Sequence, residues 1–257
     1  MNKLIDQAPQ GAGVAAPRPS PPPIEPGRDA LFLDLDGTLA PIRPRPQDVG
    51  PDARRNALLR RLVMRQEGRL AMVTGRSLED AERILEGAVP TIAAVHGLVI
   101  RRPDGAVSAP APADGLRAAR DLLLDFAKGR EGLLVEDKVI SVGLHFRNAP
   151  HLAEESVRLG AELARRFGLT PQPGDMLFEL RTPGADKGSA VRRLMGLESF
   201  AGARPIFVGD DLTDEHGFRA ARELGGHGVL VGDRHELTAE YHLPHHEAVL
   251  AWLEAAL

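Results

Sequence analysis

From Leu31 onward, short apolar runs alternate with longer stretches whose apolar positions follow a helical period, so the chain predicts strands and covering helices in turn. A first strand falls at 30–33. A helix is predicted over 51–66, with Pro51 at an early position and Gly68 beyond its end. A second strand at 70–73 leads into Thr74-Gly75-Arg76, and Ser77 caps a helix running to 86, with Asp80 three residues on. The third strand is at 91–95. At Leu98 the rhythm changes, because 98–101 and 106–108 flank Pro103-Asp104-Gly105, a hairpin signal. Helices at 116–127 and 151–167, with strands at 132–135, 139–145 and 176–180, then read as a compact α+β insert. The strand–helix rhythm resumes with a helix at 187–195, a strand at 205–208, a helix at 214–224, a strand at 228–231 and a terminal helix ending near 257. The expected fold class is therefore α/β: a Rossmann-like parallel sheet core with an inserted α+β cap domain.

Four segments follow from this reading. Residues 1–28 hold Pro9, Pro17, Pro19, Pro21, Pro22, Pro23 and Pro26 among small and polar neighbours, which predicts a disordered proline-rich tail, with a polyproline docking segment as the alternative. The core domain occupies 29–105 and 183–257, and the cap occupies 106–182, with hinges expected near 103–105 and 183–184.

Composition narrows the classes of function. The chain has no cysteine, which removes thiolate zinc sites, disulfide frameworks and cysteine nucleophiles. A net charge of -4 gives no basic field for nucleic acid, so an anionic ligand needs a local cationic pocket. No apolar run is long enough for a membrane span, and the amino terminus, with Asp6 and Gln7 close behind Lys3, does not read as a secretory signal. A cytoplasmic protein is expected, with no membrane partner; the sequence fixes no oligomeric state, and a monomer is the expectation. Only Lys3, Lys128, Lys138 and Lys187 are lysines among 32 Lys plus Arg, so each lysine is worth inspecting.

The decisive segment is Leu31-Phe32-Leu33-Asp34-Leu35-Asp36-Gly37-Thr38. An apolar strand runs into two carboxylates at i and i+2, which share one side by the strand's period of two, and Gly37 permits a sharp turn. Open α/β sheets place ligands at this end of a parallel strand. An acidic loop is the bland alternative, and a calcium loop fits poorly because Arg45 stands where its closing glutamate belongs. A second acidic cluster repeats the layout: Pro205-Ile206-Phe207-Val208 ends in Gly209-Asp210-Asp211, followed by Asp214-Glu215. Converging carboxylates without a cationic counterweight repel one another unless a hard cation sits among them, and all-oxygen ligation favours Mg²⁺. For Asp214 and Glu215, service at a helix amino terminus remains open. Thr74-Gly75-Arg76 and Lys187 supply a hydroxyl, amides and cations that together can cradle a phosphoryl group, although each alone also reads as a helix cap.

These elements in this order resemble the haloacid dehalogenase superfamily of aspartyl phosphotransferases, over about residues 29–235. The resemblance implies Asp34 as nucleophile, Asp36 as general acid and base, and Thr74 and Lys187 as phosphoryl ligands. It also implies an Mg²⁺ cofactor held by Asp34, the Asp36 backbone carbonyl and Asp210, with Asp211 and Asp214 as further candidates. Within the superfamily, Gly209-Asp210-Asp211-Leu212-Thr213-Asp214-Glu215 resembles the signature of the trehalose-6-phosphate phosphatase family. Glu136-Asp137-Lys138, Ser141, His145-Phe146-Arg147 and the Glu179 strand before Pro183 are similar to that family's sugar-reading elements. By this likeness Arg76, His96, Glu136, Lys138, Arg147 and Glu179 bind substrate, a phosphorylated disaccharide. Phe146 stands where that family commonly has Tyr, Thr74 where it often has Ser, and Val95 where a polar residue often precedes His-Gly. Two alternatives stay open: the same chemistry on a sucrose- or mannosyl-type phosphate, and a catalytically silent sugar-phosphate sensor.

Other features read as structural. Met64, Met72, Met176 and Met195 are expected to fill core gaps, and Trp252 and Leu250 to pack on the sheet. His242, His245 and His246 read as solvated histidines before the last helix, with a metal site as the alternative.

Overall fold

A computed structural model describes residues 18–257 except 175 and 235. The large sheet is assembled from β1 (Asp29–Leu33), β2 (Leu70–Val73), β3 (Thr91–Ala94), β4 (Val99–Arg101) and β5 (Val107–Ser108). After the insert it is joined by β10 (Arg204–Gly209), β11 (His227–Val231) and β12 (Tyr241–Leu243). Their order is β12-β11-β10-β1-β2-β3-β4-β5, parallel from β12 to β3, with β4 and β5 antiparallel at one edge. Successive connections run outward in opposite directions from the β1–β10 pair, so the topological switch point lies between those two strands.

Alternation along β1 assigns each face its own core. Leu31 and Leu33 point into a cluster with α1 (Ala53–Arg65), α2 (Leu78–Leu85) and α7 (His246–Glu254). Ala30 and Phe32 point the other way, against α5 (Lys187–Met195) and α6 (Glu215–Glu223). Burial on both faces explains why the parallel strands are continuously apolar. Met64 is a departure from expectation: it is 82% exposed, because the buried face of α1 is Leu58, Leu59 and Leu62, and residue 64 lies on the opposite side of the turn.

The insert carries its own sheet, β6 (Leu134–Asp137), β7 (Ser141–His145), β9 (Leu177–Arg181) and β8 (Thr170–Gly174), antiparallel in the order β6-β7-β9-β8. Helices α3 (Leu116–Ala127) and α4 (Ala153–Phe167) cover one face, packing on Val142, Leu144, Phe178 and Leu180. The period of two then turns Ser141, Gly143 and His145, with Leu177 and Glu179, to the other face. Phe146 is buried in the insert's own core, where a hydroxyl has no role.

Three expectations are corrected here. The large sheet runs on to Ser108, and Pro103–Gly105 is the turn of the β4–β5 hairpin, so the crossings between the two units fall at 109–115 and 182–186. β8 was not anticipated, since Pro171 and Pro173 argue against a strand; both are tolerated because β8 is an edge strand bonded only to β9. The proline-rich segment is ordered from residue 18: the Pro19 and Pro22 carbonyls accept hydrogen bonds from the His242 amide and Trp252 Nε1, at 3.0 and 2.9 Å, and Ile24 is buried in the core. Residues 1–17 of the expected tail lie outside the described residues. No described helix is long and apolar enough to cross a membrane.

The strand expected at 139–145 begins at Ser141 because the chain turns at Val139, whose amide donates to Asp137 Oδ1 at 2.9 Å. Val139 has a φ of 70° and is 73% exposed, a strained conformation for a β-branched residue that no packing repays. Val139→Gly is therefore expected to stabilise the protein by about 0.5–1 kcal/mol, about 1–4 °C in Tm. Thermal unfolding followed by circular dichroism checks this, and a lower Tm would contradict it.

Candidate active site

β1 and β10 pair in register with Leu33 beside Val208, and the Asp34 amide donates to the Val208 carbonyl at 2.9 Å. Both strands therefore deliver their carboxylates to one place. Oxygens of Asp34, Asp210 and Asp214 lie within 4.8 Å of one another, all three groups being largely or wholly buried. Lys187, at the start of α5, reaches into the cluster at 2.6 Å from Asp214 and 3.0 Å from Asp34. Thr38 Oγ1 donates to Asp210 at 3.1 Å. Gly37 has a φ of 78°, and a Cβ there would meet the Asp210 carboxylate at 2.1 Å, so glycine answers both the turn and the close approach.

The electrostatics follow from this crowding. Burial pushes the Asp34 carboxyl well above its usual range; Lys187 opposes the shift, while Asp214, Asp210 and Asp36 add to it. Burial also raises Asp210, and with Asp214 and Asp211 nearby its pKa is pushed up to about 8 despite Lys187. Burial pulls Lys187 down, but Asp214 and Asp34 outweigh it and hold the ammonium well above its ordinary value. Three carboxylates facing one ammonium leave a negative surplus in an all-oxygen donor set, which fits a hard divalent cation.

The structure sorts the predicted ligands. Asp214 is in the cluster, yet its Oδ2 accepts the Asp210 and Asp211 amides at 3.0 and 2.9 Å and its Oδ1 accepts Lys187, so protein donors already engage both oxygens. Asp211 lies outside the cluster; it accepts from the Leu212 amide at 2.7 Å as a cap and pairs with Arg234 at 3.4 Å. The Asp36 side chain is also outside, forked by Arg76 through two hydrogen bonds of 2.6 Å. Arg76 in turn donates to the Pro46 carbonyl and to Asp80 while it lines the cleft, so most of its donors serve the protein. Asp80 is a residue that sequence reasoning missed, although its place in the Ser77 cap put it on the page. His242 and His245 bond to Gly232 O and the Ala248 amide, and among the described residues these histidines form no metal-ligating group.

Above this floor stands the polar face of the insert. One cleft of about 220 Å³ is lined by Asp34, Asp36, Thr74, Arg76, Lys187, Asp210 and Asp211 from the core, and by Glu136, Lys138, Arg147 and Glu179 from the insert. Lys138 Nζ donates to the Gly75 carbonyl at 3.1 Å and to Glu179 at 3.3 Å, crossing between the two units. Ser141 Oγ donates to Glu179 at 2.6 Å, and His96 Nε2 lies 3.4 Å from its other oxygen. Burial pushes Glu179 up, but Lys138, His96 and Ser141 hold it well below the usual carboxylate range. His96 is itself mostly buried, and Val95 and His96 both stand at positive φ, pinned by amide bonds to the Arg76 and Thr74 carbonyls at 2.8 and 2.9 Å. His96 and Glu179 thus join insert to core at the back of the cleft. His145, named from the sequence only as part of the His145-Phe146-Arg147 element, and Arg43, which was not singled out, also line it.

An open parallel sheet with buried carboxylates at its switch point, roofed by an inserted α+β unit, is a fold this chain shares with a Bacteroides thetaiotaomicron protein described among phosphatases of the haloalkanoate (HAD) enzyme superfamily, at a TM-score of 0.63 and 17% identity over 88% of this chain and 92% of that one. The family model for trehalose-phosphatase matches residues 32–242, and the chain belongs to that family. It is 38% identical over 205 residues to a Sinorhizobium fredii protein named "Probable trehalose-phosphate phosphatase", covering 79% of this chain and 77% of that one. It is 33% identical over 232 residues to the trehalose-6-phosphate phosphatase of Escherichia coli, covering 88% and 85%. Among solved structures, a trehalose-6-phosphate phosphatase related protein superposes with a TM-score of 0.73 at 29% identity, covering 88% of this chain and 95% of that one.

The raised Asp210 carboxyl sets a pH dependence. Against a usual value of 3.8, a folded-state pKa of about 8 means that the folded chain binds more protons than the unfolded chain between those values. Stability without divalent cations therefore falls as pH rises across that window. Asp210→Asn is expected to flatten the profile and to raise Tm at pH values above 8 by about 2–4 °C. Calorimetry in chelator-treated buffer checks this, and a variant less stable than wild type at alkaline pH would contradict it.

Proposed function

We propose that the chain hydrolyses trehalose 6-phosphate to trehalose and inorganic phosphate through an aspartyl-phosphate intermediate. The observation that carries the reading is one cleft in which Asp34, Lys187 and Asp210 form the floor and Glu136, Lys138 and Arg147 the roof. The first group, together with the divalent cation it would hold, suits a phosphoryl dianion, and the second suits the hydroxyls of a sugar. The family resemblance supports the same assignment.

In this reading an Asp34 oxygen attacks phosphorus as the bond from phosphorus to the sugar's 6-oxygen breaks, and Asp36 gives its proton to that oxygen. Water then attacks the phosphoryl group, Asp36 takes its proton, and Asp34 is released. Arg76 holds Asp36 at the cleft's edge through both carboxylate oxygens, so to act as the acid Asp36 gives up one of these hydrogen bonds and takes a proton from solvent on the freed oxygen, which it then passes to the leaving oxygen. Lys187 and Thr74 stabilise the phosphoryl oxygens, while Asp214 holds Lys187 and the β10 loop in place. Magnesium, held by Asp34 and Asp210, supplies positive charge against the carboxylates and the phosphoryl oxygens when bound. Magnitudes support this division of labour. Phosphate monoester hydrolysis calls for accelerations of up to ~10²¹-fold, of which general acid help supplies ~10²–10⁴. Most of the remainder falls to orientation and charge stabilisation on the floor of the cleft.

Phosphate release from trehalose 6-phosphate, sucrose 6-phosphate, glucose 6-phosphate and p-nitrophenyl phosphate, each with and without Mg²⁺, tests the reading. Trehalose 6-phosphate is expected to lead by at least ~10-fold in kcat/KM, with activity lost on chelation. Equal rates on all four substrates would overturn the sugar assignment. Asp34→Asn is expected to lower kcat by at least ~10³-fold while still binding trehalose 6-phosphate by calorimetry, and near-wild-type turnover would remove the covalent step.

Roof residues separate from floor residues by substrate. Glu136→Ala or Arg147→Ala is expected to raise KM for trehalose 6-phosphate ~10-fold and to change kcat/KM for p-nitrophenyl phosphate by less than ~3-fold. Equal losses on both substrates would refute a sugar-reading role.

A further inference from the structure

Glu136 is opposite Gly143 in the β6–β7 register, and His145 is the next residue of β7 on the same face. A diagonal pair of this kind is within reach of long side chains when the residue between them leaves room. Gly143 does so: a Cβ built there would lie 3.7 Å from His145 Nε2 and 3.9 Å from Glu136 Oε2, so the two side chains meet directly above it. The contact they make is 2.9 Å. Leu177 is opposite His145 on β9 and flanks the same space, closing the imidazole's other side.

The chemistry of this contact is constrained. Burial pushes the Glu136 carboxyl up, but the His145 hydrogen bond and the Lys138 charge outweigh it and hold Glu136 below its ordinary value. An ionised carboxylate only accepts, so His145 Nε2 carries the proton. Lys138 Nζ approaches the same Oε2 at 3.6 Å. Both cationic or donor groups therefore fall on one oxygen, and among the described residues no protein donor takes Oε1. The result is a carboxylate fixed at one end and open at the other, on the wall of the cleft. Glu179 differs in having protein donors on both oxygens.

We infer that His145 is a positioning residue that clamps Glu136 Oε2 so that Oε1 is presented, already oriented, to a hydroxyl of the sugar farther from the phosphate. This rests on the substrate reading above. Preorganisation of this sort lowers the ordering cost of binding without touching the reacting atoms, so it acts on KM. The side chain contributes nothing to the insert's apolar core, which is built from the opposite face of β7.

The test is steady-state kinetics on trehalose 6-phosphate with wild type, His145→Ala, His145→Gln, Glu136→Gln and the double variant His145→Ala/Glu136→Gln. His145→Ala is expected to raise KM ~10-fold with kcat changed by less than ~3-fold, the scale of one hydrogen bond to a charged group. His145→Gln keeps an N–H donor and is expected to recover at least half of that loss on a logarithmic scale. Once Glu136 is Gln, removing His145 is expected to add less than ~2-fold, because the two residues act as one unit. Losses that multiply in the double variant, or a His145→Ala KM equal to wild type, would overturn the inference while leaving the substrate reading intact. Wild type that releases no phosphate from trehalose 6-phosphate would overturn both. Should His145→Ala fail to fold, the Gln variant decides alone: a KM within ~3-fold of wild type supports the clamp, and a ~10-fold rise overturns it.

Discussion

Everything in this molecule that bears on chemistry is arranged around one unfavourable contact, the packing of Asp34, Asp210 and Asp214 against a single ammonium. Like charges this close destabilise a fold unless each has a defined partner. The chain meets that demand unevenly. Asp214 is satisfied outright by two amides and Lys187, and so becomes the fixed point of the cluster. Among the described residues, the Asp210 side chain has only the Thr38 hydroxyl, and that of Asp34 only a share of Lys187. The two under-compensated carboxylates are the ones that face the cleft, which is where a cation or a phosphoryl group could complete them. A site tuned for charged ligands is thus costly when empty of charge, and the apolar cores on both faces of the sheet are what sustain it.

The insert solves a different problem with the same economy of pattern. Its strands must hide one face on α3 and α4 and offer the other to a polar ligand, and strict alternation accomplishes both. Val142, Leu144, Phe178 and Leu180 build a core, while His145, Leu177 and Glu179 come to the cleft, with Ser141 buried behind Glu179. Lys138 stands just past β6 in the tight turn around Val139. That turn lets its ammonium reach Gly75 in the core, so strain at an exposed position coincides with the crossing between the two units.

How much of this was legible in the sequence depended on whether the signal was local. The parallel sheet was readable because each strand is a continuous apolar run, and the carboxylates at 34 and 210 because each follows the end of such a strand; the two-residue period that put Asp36 beside Asp34 failed, since Arg76 draws the Asp36 side chain away. Asp211 shows where the reading stopped. Its identity and spacing matched a metal-binding pattern, but whether a carboxylate faces an ion or caps a turn is decided by neighbours far away in sequence, such as Arg234. Arg76 and His96, read as ligand contacts, line the cleft and also engage protein partners that the sequence could not name, for the same reason. β8 was hidden because its prolines obey an edge-strand exception that only the finished sheet reveals. The ordered stretch from residue 18 was hidden because proline carbonyls, which composition does not weigh, accept bonds from His242 and Trp252.

The separation of floor from roof has a consequence for how binding energy is used. Contacts between the roof and a distal sugar are the same before and after phosphorus reacts, so taken alone they would lower KM and leave kcat untouched. Lys138 and Glu179 break that separation, because each joins an insert residue to the segments that carry Thr74 and His96. A hydroxyl that displaced either contact would release the insert from the core, whereas one that added to it would draw the Thr74–Arg76 segment toward the phosphoryl group. The clamp on Glu136 belongs to the first kind of residue, fixed to its own sheet and uncoupled from the floor; Lys138 and Glu179 belong to the second. Substitution at the two kinds should therefore differ in character. On the proposed reading, loss at Glu136 or His145 weakens recognition, and loss at Lys138 or Glu179 reaches the chemistry as well, since it frees the element that orients Asp36 through Arg76.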